Sequence, residues 1–145
     1  MSNTRSLPIL KRIALVAHDK KKDELLEWAV ENKQILKSHQ LIATGSTGEL
    51  IEKKLDLPVT KLLSGPLGGD QQIGSMVAES KLDLLVFFWD PLEAQPHDSD
   101  VKALQRLAVA WNILLAPNRT TANFILHSPF MNQPYEINIP DYSKY

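Results

Sequence analysis

The chain has 145 residues, 43% of them apolar and 23% charged, which suffices to bury a core in one compact domain and is unlike the composition of a disordered chain. Sixteen basic and seventeen acidic side chains leave a formal net charge of -1, and no like-charge block is long enough to track a nucleic-acid backbone or an anionic membrane, so any basic site is local. There is no cysteine, which removes disulfides, thiolate catalysis and the usual structural zinc sites from the available chemistry.

In chain order, Arg12-Ile13-Ala14-Leu15-Val16-Ala17 is a nearly continuous apolar run ending at His18-Asp19, the pattern of a strand buried on both faces of a parallel sheet. Leu25, Leu26, Ala29 and Val30 then recur at helical spacing among acidic residues. Leu41 to Thr44 reads as a second strand, Gly45 to Gly48 as a tight turn and Glu49 to Leu55 as a helix. Leu57 to Leu63 supplies a third strand, Ser64 to Gly69 a loop, and Ile73, Met76 and Val77 the inward stripe of a helix. Leu84 to Trp89 is the plainest buried strand, too short to span a bilayer, followed by a proline-bearing loop and the helical stripe Val101, Leu104, Leu107, Ala108, Trp111. Ile113 to Ala116 gives a fifth strand, Thr121 to Leu126 a short helix, and Ile137 to Ile139 an edge strand or packed chain. The first residues lack the apolar core of a secretory signal, so a cytoplasmic location is expected.

Strands alternating with helices imply parallel pairing through right-handed crossovers, and parallel strands present their carboxyl ends together. His18-Asp19, Thr44 to Gly48, Ser64 to Asp70 and Asp90 to Asp100 each follow such an end. In open α/β sheets ligands bind there, where neighbouring loops diverge. Thr44-Gly45-Ser46-Thr47-Gly48 combines glycines that let the backbone approach an anion with hydroxyls and helix-start amides. It lacks the Lys-Ser/Thr ending of a P-loop, and the same residues also make an ordinary strand-to-helix turn. Lys22, one helical turn after His18-Asp19, can add a positive charge, although Lys20 and Lys21 adjoin it.

Asp70 opens a helix, where a carboxylate is commonly an N-cap; to act as a base it must turn from the helix amides towards a substrate carbon. His97 and Asp100 stand three apart at a helix start, a spacing suited to proton transfer at oxygen, with Asp98 or Ser99 as the competing cap. His18, Asp19, Asp70, Asp90 and His97 lack the spacing of known metal-binding patterns, so no metal site is expected.

Ala17-His18-Asp19, Ala43 to Gly48, Leu63 to Pro66 with Gly68-Gly69-Asp70-Gln71-Gln72, Phe87-Phe88-Trp89-Asp90-Pro91, and Pro96-His97-Asp98 with Asp100 to Leu104 closely resemble the methylglyoxal synthase family. The motifs occur in the family's order from about Ile13 to Tyr142, and Gly68 to Gln72 is particularly specific. The resemblance implies a three-layer α/β sandwich around a mainly parallel five-stranded sheet, assembled as a homohexamer, with no metal or organic cofactor. By it, Asp70 is the base, His97 assists proton movement, Asp100, His18 and Asp19 support the site, and Asp90 sits nearby. Lys22, Thr44, Thr47, Ser64 and Gly65 match positions that hold substrate phosphate, with Gly45 and Ser46 completing the loop and Ser46 standing where threonine is more usual. Members of the family continue past the Pro140-Asp141-Tyr142 segment to an arginine that reaches a neighbouring subunit; the resemblance, read as far as Tyr145, does not extend to that contact or to a phosphate-linked signal, and it leaves every expected proton-transfer residue in place.

The implied reaction is conversion of dihydroxyacetone phosphate to methylglyoxal and inorganic phosphate through an enediol(ate). Two other readings share the site: an isomerase that forms the same intermediate but reprotonates carbon, and a phosphate-responsive regulatory module that performs no chemistry. Retention of Asp70, His97 and Asp100 favours the enzyme.

Overall fold

The computed structural model describes residues 3–94 and 98–145. In chain order the elements are β1 (Asn3–Leu7), β2 (Arg12–Ala17), α1 (Lys22–Glu31), α2 (Lys33–Leu36), β3 (Gln40–Thr44), α3 (Gly45–Leu55), β4 (Val59–Leu62), α4 (Gly69–Ala78), β5 (Leu84–Phe88), α5 (Asp98–Ala110), β6 (Leu114–Ala116), α6 (Arg119–Leu126) and β7 (Tyr135–Ile139). Five strands pair in parallel in the order β4-β3-β2-β5-β6.

The alternation of side chains along each strand divides the apolar residues between two layers. Ile13 and Leu15 of β2, with Leu84, Val86 and Phe88 of β5, pack with Leu25 and Trp28 of α1, Ile51 of α3 and Leu126 of α6. Ala14, Val16, Leu85 and Phe87 point the other way, against Ile73 and Val77 of α4 and Val101 and Leu104 of α5. Near-continuous hydrophobicity in β2 and β5 is therefore the signature of helices on both faces, and the three-layer α/β sandwich expected from the sequence is the architecture found. Truncating one of the larger buried residues, such as Leu25 or Ile51, to alanine typically costs about 2–5 kcal/mol.

Helix ends are locally encoded. Asp56, Ser80 and Asn112 follow α3, α4 and α5 with φ of 53°, 60° and 57°, the left-handed conformation that reverses a chain out of a helix. Asn32 ends α1: its side-chain amide donates to Trp28 O at 2.9 Å and to Asn123 Oδ1 at 3.2 Å, tying α1 to α6. At the amino end of the sheet, fully buried Asp83 accepts two bonds of 3.0 Å from the Arg12 guanidinium and a further one from Arg5 on β1. That cluster secures the short β1–β7 ribbon to the main sheet.

Several boundaries differ from the sequence reading. Gly45 to Gly48 is the first turn of α3 rather than a separate turn, entered through left-handed Gly45. Ile137 to Ile139 belongs to a strand, but one that pairs antiparallel with β1 in a separate ribbon, and β1 itself has too few apolar residues to announce itself. The central sheet is wholly parallel. His97 lies outside the described residues.

The strand order sets the position of the site. From β2 the chain moves through α1 to β3 and β4 on one side; β5 then pairs with the other side of β2 and leads through α5 to β6. The loops after β2 and β5 therefore part from one another, opening a crevice at their carboxyl ends.

Candidate active site

A cavity of about 210 Å³ occupies that crevice. Its walls include His18, Asp19 and Lys22 after β2, Thr44 to Thr47 at the β3–α3 junction, Ser64, Gly65 and Pro66 after β4, and Asp70 in the first turn of α4. Ten of the residues named from sequence thus meet in one place: His18, Asp19, Lys22, Thr44, Gly45, Ser46, Thr47, Ser64, Gly65 and Asp70. Asp90 and Asp100 are not among the described lining residues. Asp90 is nevertheless in contact with the site through its main chain, whereas Asp100 stands in the first turn of α5.

The side of the cavity that the sequence reading assigns to an anion is the start of α3. Thr44 holds the N-cap position in an extended conformation (φ -96°, ψ 149°) without using its side chain as a cap. Gly45 follows with φ +56°, and a Cβ there would stand 3.3 Å from Ser64, so glycine serves both the turn and the close approach of two loops. The amino end of an 11-residue helix, with the positive end of its dipole, lines the cavity; its first amide, Gly45 N–H, is already bonded to Leu63 O.

Lys22 Nζ lies 3.1 Å from Ser46 Oγ and 3.0 Å from Asp19 Oδ1. The Lys22 hydrogen bond, reinforced by its charge, holds the Asp19 carboxyl below the usual carboxylate range. Geometry separates the three adjacent lysines that sequence could not: Lys20 pairs with Glu93 at 2.8 Å, Lys21 stands 3.8 Å from Glu24, and only Lys22 of the three lines this cavity.

Asp70 lies against Gly65 in the cavity wall. It is 2% exposed, and a Cβ added to Gly65 would come within 3.1 Å of its Oδ1 and 3.4 Å of its Oδ2. The N-cap of α4 is Gly68, with no side-chain cap bond, so Asp70 is the second helical residue and not the cap.

His18 is fixed from β5. Its main-chain N–H donates to Phe88 O at 3.2 Å, extending the β2–β5 pairing, and the main-chain N–H of Asp90 donates to its Nδ1 at 3.0 Å. With Nδ1 accepting, the imidazole proton resides on Nε2. Asp90 Oδ1 accepts from Leu92 N–H at 3.0 Å, so this carboxylate shapes the turn after β5. Phe87, which sequence analysis did not single out, closes the cavity and meets the His18 ring edge-on at 5.4 Å. Its place on β5, two residues from Leu85 on the same face, was the available signal.

A larger groove of about 500 Å³ lies between α6 and the β1–β7 ribbon, but its lining is largely apolar and its one cation, Lys11, donates to the Pro8 and Gln133 carbonyls. The smaller polar cavity therefore has the chemistry. Among the described residues no three His, Asp or Glu side chains group as a metal site would require.

Residues 24–116 match the family described as the MGS-like domain. The methylglyoxal synthase of Pectobacterium atrosepticum is 56% identical over 142 residues, covering 98% of this chain and 93% of that protein. That of Proteus mirabilis is 58% identical over 141 residues, covering 97% and 93%. The chain belongs to the methylglyoxal synthase family. The crystal structure of methylglyoxal synthase from Elizabethkingia anophelis superposes with a TM-score of 0.92 at 57% identity, covering 97% of this chain and 93% of that one. The family resemblance, the α/β architecture and the expectation of a methylglyoxal synthase enzyme are thereby borne out.

Proposed function

We propose that the chain, acting as one domain, binds dihydroxyacetone phosphate in the cavity beside β2 and converts it to methylglyoxal and inorganic phosphate. One observation carries the reading: the Asp70 carboxylate, lying against Gly65, lines the same cavity as the amino end of α3, Ser46 and Lys22, a set suited to an anion. A cavity of about 210 Å³ is smaller than the roughly 300–1,000 Å³ typical of drug-sized ligands and suits a phosphorylated three-carbon molecule.

In the proposed mechanism, Asp70 takes a proton from the carbon bearing the substrate hydroxyl, and the carbonyl π electrons move onto oxygen to form an enediol(ate). The Nε2–H of His18 donates to that oxygen, with His97 and Asp100 serving proton movement at the substrate oxygens. The hydroxyl on the first carbon then loses its proton and becomes the aldehyde carbonyl, the enediol(ate) π electrons shift to form a new carbon–carbon double bond, and phosphate leaves with the electrons of its carbon–oxygen bond; the resulting enol gains a proton on carbon and loses one from oxygen to give methylglyoxal. Elimination is fast when the carbon–oxygen bond to phosphate stands roughly perpendicular to the enediolate plane, so the cradle must fix orientation as well as affinity. Proton transfer and charge stabilisation suffice, and the reading calls for no metal or organic cofactor.

A homohexamer in the cytoplasm belongs to the same proposal and is supported by family membership. Among the described residues no helix is long and apolar enough to cross a membrane.

The test supplies purified protein with dihydroxyacetone phosphate and follows methylglyoxal, phosphate and glyceraldehyde phosphate together, corrected for spontaneous breakdown. Equal yields of methylglyoxal and phosphate that vanish in Asp70→Asn support the reading. Glyceraldehyde phosphate as the product would replace it with an isomerase, and phosphate binding without turnover with a regulatory module.

A further inference from the structure

Leu63 is gripped on both sides of its backbone. Its carbonyl accepts from Gly45 N–H at 3.2 Å, the first amide of the proposed phosphate loop. Its own N–H, just past the end of β4, donates to the side-chain oxygen of Gln72 at 2.9 Å. Gln72 lies on α4, two residues after Asp70. The Leu63 main chain therefore connects the element that holds phosphate to the helix that carries the proposed base.

A second tie runs alongside: Gly69 N–H donates to Ser64 O at 2.9 Å, and a Cβ on Gly69 would lie 2.0 Å from Leu63 O, so α4 abuts this strand end directly. One hydrogen bond alone is a pivot about which the Leu63–Ser64 segment can rock. Two bonds from the same helix, one from Gly69 and one from Gln72, make a brace. Gln72 is exposed and does not line the cavity, so the bond contributes geometry to the site and little to the core.

We infer that Gln72 is a positioning residue: by holding the Leu63 backbone it fixes the phosphate loop relative to Asp70, and so sets the fraction of enediolate that expels phosphate instead of being reprotonated. The inference rests on the proposed reaction. Proton abstraction depends on Asp70 and the substrate carbon, whereas elimination depends in addition on the angle at which phosphate is held. Loosening the brace raises reversal relative to elimination without removing any group that touches substrate.

The experiment runs the reaction in deuterated water and compares deuterium incorporated into remaining dihydroxyacetone phosphate with methylglyoxal formed. Gln72→Met keeps the side chain's length and removes the acceptor; Gln72→Glu keeps an acceptor at the same reach. Gln72→Met is expected to raise the exchange-to-elimination ratio about fivefold, the equivalent of about 1 kcal/mol for one net hydrogen bond, with kcat falling more than KM rises. Gln72→Glu is expected to return the ratio to near that of the unaltered chain, with both variants melting at similar temperatures. An unchanged ratio in Gln72→Met, or an equal rise in both variants, would overturn the inference while leaving the reaction intact. Failure of the unaltered chain to form methylglyoxal at all would overturn the proposed reaction, and this inference with it.

Discussion

The main-chain N–H of Asp90 donates to Nδ1 of His18 at 3.0 Å, so a backbone amide on one side of the crevice decides which nitrogen of the imidazole on the other side carries the proton. A neutral ring with its proton on Nε2 is a hydrogen-bond donor that can meet charge developing on a substrate oxygen. Nitrogen-15 NMR of the imidazole at neutral pH is expected to report the Nε2–H tautomer for His18. Replacing His18 with alanine should lower kcat/KM by about 10²–10³-fold, the scale of losing one preorganised donor, while His18→Gln, which keeps an N–H near Nε2, should recover part of the loss. A spectrum showing Nδ1–H would remove the donor role.

Gly65 is where the proposed base and the phosphate side come closest. Its backbone is not left-handed, so alanine is conformationally acceptable, but the new methyl would press on Asp70 Oδ1 at 3.1 Å. Displacing a base by a fraction of an ångström costs rate more than stability. Gly65→Ala is expected to reduce kcat by about 10–10²-fold with little change in melting temperature. Equal kcat in the variant would show that the carboxylate has room the geometry denies it.

Lys22 is expected to act through affinity. Its ammonium is shared between Asp19 and Ser46 at the mouth of the α3 cradle, and losing a charge-assisted bond to phosphate is worth about 1.5–3 kcal/mol, or roughly 10–100-fold in binding. Lys22→Met should therefore raise KM and weaken inorganic phosphate binding, measured by calorimetry. Lys20→Met and Lys21→Met, whose amines face Glu93 and Glu24, should leave phosphate affinity nearly unchanged. Comparable losses at all three positions would mean that net charge, and not this geometry, attracts the anion.

Sequence periodicity located all five strands of the central sheet; β2 and β5, apolar runs buried on both faces, were the clearest, whereas β4 carries exposed Thr60 and Lys61. β1 escaped notice because only Leu7 of its five residues is buried, and its pairing with β7 depends on residues more than a hundred positions away. The convergence of His18, Thr44 to Thr47, Ser64, Gly65 and Asp70 followed from one topological rule about carboxyl ends. Separating Lys22 from its neighbours, or removing Asp70 from the N-cap position, required the positions of the side chains and helix ends. Gln72 entered the sequence reading only as part of the family-specific run Gly68 to Gln72; its bond to Leu63 was not legible there, since the chemistry of a glutamine on an exposed helix position does not name its partner.

Stability is expected to fall in mild acid, and His39 is one source. Its Nδ1 accepts the main-chain N–H of Lys11 at 2.8 Å, and burial holds its pKa below the ordinary 6.5, outweighing the Asn132 side chain, which works in the opposite direction. A protonated Nδ1 cannot accept that bond. Because the folded pKa lies below the unfolded one, the unfolded chain binds more protons between the two values. The stabilisation is therefore complete above about 6.5 and is lost as pH falls towards the folded pKa. Urea unfolding between pH 7.5 and 5 should show a midpoint that declines below about 6.5, and His39→Asn, which places an untitrating acceptor near Nδ1, should flatten that part of the curve. The pH dependence of kcat should not follow the same substitution, because His39 lies at the amino end of β3, across the sheet from the cavity. An undiminished slope in His39→Asn would assign the acid sensitivity to other groups.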